Sequence, residues 1–268
     1  MAEVGSIEYE ITGKTGGLIK SGKDVTKFNS DAERQFKGTT KAVAGLESGM
    51  KSLGVAIAAA LSVQQLGNII KMADAMTLLE ARVKRAVGEA EDLDGVMSQL
   101  LKTANVTGGE IQNVASTFTQ FRLATQELDK TNQEVLTFVD QLQKLGAIGG
   151  ATAEQMSMSF FQLQQAFQDG QIRAQEFNSV IDQTPEVWRV VAKEQGRTMG
   201  ELRRLMLDGK LTAEDTFSAI TKAAETTNSE FEKLPPNISK SANAFSNNLN
   251  KSISDLNKEL KVTETIAI

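Results

Sequence analysis

The side chains that most often carry out chemistry in proteins are scarce in this sequence. Its 268 residues include no histidine and no cysteine. Without cysteine there is no thiolate to act as a nucleophile or to bind zinc, and without histidine the usual general base near neutral pH is missing. Carboxylates, lysines and serines could still catalyse a reaction, but only with strongly shifted pKa values. No motif marks such a site, so the sequence predicts a protein with no catalytic residues and no cofactor.

The best match to a phosphate-binding motif is Gly13-Lys14-Thr15, which follows an alternating segment, residues 6–11, typical of a short strand. A P-loop also needs a glycine five positions before the glycine of this triplet. That position holds Glu8, whose carboxylate would repel a phosphate. No further strands are predicted to build the parallel sheet that such a site requires. Nucleotide binding is therefore not predicted.

The densest group of acidic side chains is Glu89, Glu91, Asp92 and Asp94. A calcium loop needs oxygen ligands at defined alternating positions and a closing bidentate glutamate, and the spacing here does not supply them. Acidic residues are favoured at the start of a helix because the helix dipole is positive there. The cluster therefore predicts a solvated helix start and no metal site.

Signals for helix starts and stops predict an all-α fold after the short N-terminal strand. Candidate capping boxes, in which two side chains satisfy the first backbone N–H groups of a helix, are Ser30/Glu33, Ser62/Gln65, Thr107/Glu110, Thr131/Glu134, Thr152/Gln155 and Thr198/Glu201. Breaks are marked by Thr184-Pro185 and by glycines at 146, 149, 150, 170, 196 and 209. The predicted helices lie near residues 16–50, 63–87, 89–104, 108–128, 132–145, 153–168, 173–182, 185–195, 199–207, 213–232 and 239–261.

The sequence divides into three predicted segments. Residues 1–62 hold the strand and a basic amphipathic helix, residues 63–233 form a compact helical domain, and residues 234–268 hold a Pro-Pro linker and a bundle-forming helix. The apolar side chains that are candidates for packing or partner contact are Phe28, Phe36, Phe167, Trp188, Phe245, Leu249 and Leu256. Trp188 is compatible with either a core position or an interface anchor.

The apolar positions of the C-terminal helix recur in steps that sum to eleven residues, a period typical of straight or right-handed bundles. An ordinary amphipathic surface helix would show a similar pattern over so short a length. The polar positions between them predict a weakly charged outer face that neighbouring chains could contact: Asn243, Ser246, Asn247, Asn248, Asn250, Ser252 and Ser254.

Charge and hydropathy restrict the partners. The net charge of −5 disfavours nucleic acid as a specific partner. Residues 14–51 carry eight basic and four acidic side chains, which would suit an acidic protein surface or a membrane, or simply a solvated helix face. The apolar run at 53–63 spans about 16 Å as a helix, roughly half a bilayer core. It predicts a buried or self-associating helix, with a transient membrane contact left open.

Residues 161–220 carry a pattern that resembles the N-terminal tape measure domain of tail proteins from long-tailed phages and prophages. The pattern consists of Gln165-Ala166-Phe167, Gly170, Arg173, Glu176-Phe177-Asn178, Pro185, Gly200-Glu201-Leu202 and Gly209-Lys210-Leu211-Thr212. The resemblance implies a helical ruler inside the tail tube, whose length sets tail length and which assists tail assembly and genome ejection. It implies no catalytic residues. The location it implies is the virion tail, with the host cytoplasm during assembly.

The partners implied by the resemblance are the tail tube protein, tail assembly chaperones and distal tail or baseplate proteins. The stripe on the C-terminal helix adds the expectation of a homo-oligomer through that helix. A single continuous helix of 268 residues would span about 400 Å, so we expect a fragment or a short form of a ruler. The alternative is a membrane-active helical protein that forms a path for DNA ejection through the inner membrane.

Overall fold

The computed structural model describes residues 63–88, 92–235 and 238–260, with side chains over 71–88, 92–235, 240–255 and at 258. Several predictions fall outside these ranges. They are the strand at 6–11, the basic helix with Phe28 and Phe36, most of the apolar run at 53–63, and the side chain of Leu256.

The described residues are all-α, as predicted, with eleven α-helices, one 3₁₀ turn (Gln126–Leu128) and no strand. The helices are α1 (Val63–Val87), α2 (Leu93–Thr107), α3 (Ile111–Ala124), α4 (Asn132–Ile148), α5 (Ala153–Gln168), α6 (Ala174–Gln183), α7 (Pro185–Glu194), α8 (Met199–Leu207), α9 (Ala213–Lys222), α10 (Ala224–Glu232) and α11 (Ile238–Leu260).

Three of the predicted capping boxes are confirmed, at the starts of α4, α5 and α8. In each one, a threonine hydroxyl accepts the N–H of the third helical residue, whose own side chain accepts the threonine N–H. The box predicted at Thr107 is wrong. Thr107 is the last residue of α2, which ends on Gly108 with a φ of 81°, and Glu110 precedes α3 without a side-chain cap. Ser30 and Ser62 lie outside the described residues.

Two predicted boundaries also differ from the structure. The helix predicted over 213–232 is interrupted at Ala223, where α9 ends and α10 begins. Gly146, predicted as a stop, lies inside α4. Its missing side chain leaves room for Met156 on α5, since an added Cβ would collide with that side chain. The glycine at 146 therefore serves close helix packing rather than helix termination.

Helix α4 is the centre of the core, in contact with α2, α3, α7, α9 and α10. Four phenylalanines meet around it: Phe121, Phe138, Phe167 and Phe217. Phe138 contacts the other three, with its ring stacked on that of Phe217 at a centroid distance of 4.6 Å. Such aromatic pairs stabilise the core beyond the area that they bury.

The segments that carry the family-like pattern pair with each other across the fold. An isolated antiparallel bridge joins Gln171, before α6, to Thr212, before α9. Within it, the N–H of Ile172 donates to the carbonyl of Leu211 at 2.9 Å, and the N–H of Ala213 donates to that of Gly170 at 3.0 Å. The bridge thus fixes the starts of two helices that are 39 residues apart in the chain.

The last of the described helices, α11, lies against α2. The described residues from Gly67 onward belong to one compact unit that includes it. The three-segment division at 62 and 233 stays a prediction from the sequence.

Candidate protein-interaction site

Two asparagines of α11 bind the turn between α2 and α3. The side-chain amide of Asn243 donates to the carbonyl of Gly108 at 2.7 Å. One turn further along α11, the amide of Asn247 donates to the carbonyl of Gly109 at 2.8 Å, and its oxygen accepts the N–H of Ile111 at 2.9 Å. We call Asn243 and Asn247 the asparagine clamp. The clamp satisfies backbone groups that a helix end leaves without intrahelical partners.

Further polar contacts extend along the same face of α11. Asn105 on α2 accepts a hydrogen bond from Asn247 at 3.2 Å and donates one to Asn248 at 3.0 Å. Near the other end of α11, the carboxylate of Glu80 on α1 accepts a hydrogen bond from Ser254 at 3.3 Å and pairs with Lys258 at 2.7 Å. The contacts of α11 therefore reach from the α2–α3 turn to α1.

Only part of the predicted outer face of α11 is exposed: the polar positions at 246, 248 and 252 are exposed, as predicted. The polar positions at 247, 250 and 254 were predicted to face outward, yet Asn247, Asn250 and Ser254 are buried. The apolar side chains of Phe245 and Leu249 face outward instead and are 58% and 42% exposed. The prediction was wrong at the three buried positions because the body offers α11 the polar backbone of a turn rather than an apolar groove. We call Phe245 and Leu249 the outer stripe.

The other predicted contact residues that the structure describes lie inside the body. Phe167 belongs to the phenylalanine cluster around α4 and is 2% exposed. Trp188 is fully buried, with its ring stacked on that of Phe177 at a centroid distance of 4.8 Å. Its indole N–H donates to the carbonyl of Phe177 at 2.9 Å. Neither side chain is accessible to a partner in this conformation.

The perturbed carboxyl groups belong to helix caps. The pKa of Glu134 is lowered by hydrogen bonds from the backbone N–H and then the hydroxyl of Thr131. The same two groups of Thr198 lower the pKa of Glu201. The pKa of Glu154 is lowered by its own backbone N–H and then by the hydroxyl of Thr152. Each shift is explained by a carboxylate that accepts hydrogen bonds at a helix start.

The asparagine clamp was not predicted from the sequence. Its signal is the spacing of Asn243 and Asn247, which puts two amides on one face of a helix, together with a Gly-Gly pair at 108–109 that ends a helix. Each signal is common on its own. Only the tertiary structure brings the two together.

Comparisons with known proteins agree with the pattern at 161–220. A family model described as "Tape measure protein" matches residues 67–258, well over half of the chain. The match runs from α1 almost to the end of α11, so it includes the phenylalanine cluster, the Gln171–Thr212 bridge and the asparagine clamp. No curated protein and no solved structure matches the chain. Within the described ranges, no helix is both long and apolar enough to cross a membrane.

Proposed function

The chain belongs to the tape measure protein family, and we propose that it acts as a helical ruler inside the tail tube. Tape measure proteins are structural components of phage tails that contact other tail proteins, and this chain shares that role and that location. The finer proposal is that the ruler sets the length at which tube polymerisation stops, and that it assists tail assembly and genome ejection.

The single observation that carries the proposal is the family match over residues 67–258. The helical architecture is compatible with it, because helices rise only 1.5 Å per residue and so convert chain length into distance in a regular way.

The partners we propose are the tail tube protein, tail assembly chaperones, distal tail or baseplate proteins and further copies of this chain. The outer stripe of α11 supports the last of these. Phe245 and Leu249 lie one turn apart, and α11 is fastened to the body by its opposite face. We propose that α11 contacts its counterpart in a second copy through this stripe. In this proposal, the chain joins these partners during tail assembly in the host cytoplasm.

The membrane-active alternative is not favoured. No helix among the described residues is long and apolar enough to span a membrane. The family match accounts for the pattern at residues 161–220, which the alternative leaves unexplained. Residues 53–62 of the apolar run that motivates the alternative lie outside the described residues, so the role of this run stays a prediction.

The ruler role is tested by changing the length of the helical segment in a phage. We would duplicate residues 239–260 in frame after Leu260, which adds two eleven-residue units and about 33 Å of helix. Tails measured by electron microscopy should lengthen by about that amount, rounded to whole rings of the tube. The control is a phage carrying Ser246→Ala at an exposed position of α11. Its chain keeps the original number of residues, so its tails should keep their original length. Unchanged tail length in viable phage with the duplication would contradict the ruler role.

The proposed partners are tested separately by cross-linking mass spectrometry on intact tails. Cross-links from α11 to the tube interior, and between α11 helices of different copies, are expected. Cross-links that join this chain only to proteins outside the tube would contradict its placement there.

A further inference from the structure

The hydrogen bonds that hold α11 to the body come from polar side chains, and Lys240 adds a cation–π contact with Phe231 on α10, at 4.8 Å from the ring centroid. The buried side chains of α11 are Asn247, Asn250 and Ser254, and none of its described side chains belongs to the apolar core. We infer that α11 is a releasable arm: it docks on α1–α3 through the asparagine clamp and undocks while the rest of the body stays folded. This inference is independent of the ruler function, because it concerns how one helix is fastened.

The clamp recognises the shape of a turn. Gly108 has a φ of +81°, a backbone conformation that residues with a side chain rarely adopt. A Cβ added at this position would lie 2.9 Å from the Cα of Lys240. The backbone of α11 therefore comes close to the turn only because position 108 is a glycine. The docking site is a glycine turn whose two carbonyls accept hydrogen bonds from the amides of Asn243 and Asn247.

Undocking leaves little that water cannot satisfy. The carbonyls of Gly108 and Gly109 and the N–H of Ile111 lie at helix ends, where backbone groups commonly bond to water. The freed asparagine side chains are hydrated equally well. Water thus replaces the lost partners, and a single hydrogen bond of this kind shifts an equilibrium only about two- to tenfold.

The packing around the clamp is open. A cavity of about 690 Å³ lies beside it, lined by residues such as Asn113, Gln143, Met156 and Lys240. The contact with α1 rests on Glu80, whose partner Lys258 is half exposed, so it adds little in salt. The core helices have no comparable way to leave, because their departure would expose side chains such as Phe138.

The two states differ in what α11 can offer to a partner. When docked, α11 presents the outer stripe and the exposed polar positions beside it, such as Ser246 and Ser252. When released, the asparagine face is available as well, so several helices can surround α11. The body thereby covers the asparagine face of α11 until the helix undocks.

The test measures the distance between α11 and the body in the full-length chain. The chain contains no cysteine, so Arg82→Cys on α1 and Ser252→Cys on α11, both exposed, accept spin labels at these two sites only. Double electron–electron resonance should show a narrow docked population and a broad, longer one. Replacing both clamp residues (Asn243→Ala, Asn247→Ala) should raise the ratio of undocked to docked molecules at least tenfold, whereas Ser246→Ala should leave it unchanged.

Two glycine variants form a matched pair. Gly108→Ala and Gly88→Ala both place a side chain at a positive φ after a helix, but an added Cβ at Gly88 has no atom within 4 Å. Only Gly108→Ala should release α11. Should the clamp variant fail to fold, hydrogen exchange of the unsubstituted chain decides the matter, with amides of α11 expected to exchange at least tenfold faster than those of α4. Equal protection of the two helices, or clamp variants that keep the distances of the unsubstituted chain, would overturn the inference.

Discussion

The outer stripe of α11 makes the most direct prediction about assembly. Phe245 and Leu249 are 58% and 42% exposed, so replacing both with serine removes apolar surface that the body does not cover. The stability of the body should change little, because substitutions at exposed positions usually alter the free energy of unfolding by less than about 0.5 kcal/mol each. Self-association through α11 should weaken strongly.

The size of the effect follows from the exposed fractions. Full burial of a phenylalanine or leucine side chain contributes about 1.5–3 kcal/mol. About half of each side chain is still exposed, so a partner that covers it gains roughly 1 kcal/mol per residue. Two residues on each of two copies then contribute about 4 kcal/mol, which corresponds to a dissociation constant raised roughly a thousandfold.

Sedimentation velocity over a range of concentrations measures this change on the full-length chain. The matched control is Leu78→Ser with Leu207→Ser, which removes two leucines that are 53% and 70% exposed on α1 and α8. The control should associate like the unsubstituted chain, and the stripe variant should remain monomeric at concentrations where that chain associates. Equal association of the stripe variant and the control would refute the assignment of the interface to α11. So would an unsubstituted chain that stays monomeric throughout.

Three further predictions concern the folded body. Phe138→Ala should destabilise the body by about 3–5 kcal/mol and lower its melting temperature in calorimetry by about 6–20 °C. Phe161→Ala, at a position that is 48% exposed, should lower the melting temperature far less. Equal shifts for the two variants would contradict the central place of the phenylalanine cluster. Thr198→Ala removes a helix cap and should cost about 0.5–2 kcal/mol in urea unfolding, whereas Thr107→Ala, at the end of α2, should cost clearly less. Because the cap lowers the folded-state pKa of Glu134, its contribution to stability is present above its unfolded pKa of about 4.5 and is lost as the pH falls through the folded value. Glu134→Gln should therefore make the loss of stability in acid shallower, and an unchanged acid profile would argue against that shift.

The features that sequence reasoning predicts well are those that neighbouring residues determine. The boxes at Thr131, Thr152 and Thr198 are correct because a threonine and a residue three positions later satisfy each other's backbone groups. The same spacing at Thr107 fails because Gly108 follows at once and ends a helix there. The break at Ala223 has no glycine or proline to announce it. Local pattern therefore accounts for the boundary at Gly108 but does not identify the one at Ala223.

Buried positions in the body are predictable for a similar reason. An apolar side chain such as Phe167 or Trp188 lowers the free energy of the fold in any environment that excludes water, so its burial does not depend on a particular neighbour. The hydrogen bond from Trp188 to Phe177 does depend on one, because the carbonyl that it reaches sits on the preceding helix. The identity of the core is thus easier to predict than the pairing inside it.

The orientation of α11 shows why a periodic stripe does not by itself identify the buried face of a helix. A surface helix normally turns its apolar side chains toward the core, because that removes them from water. On α11, Asn247 and Ser254 are buried, whereas Phe245 is exposed. Burial of asparagine is favourable only where its amide finds partners, and the α2–α3 turn supplies three of them. An apolar face turned toward this turn would leave the carbonyls of Gly108 and Gly109 without these partners. The observed orientation pairs them and leaves Phe245 available to a second partner.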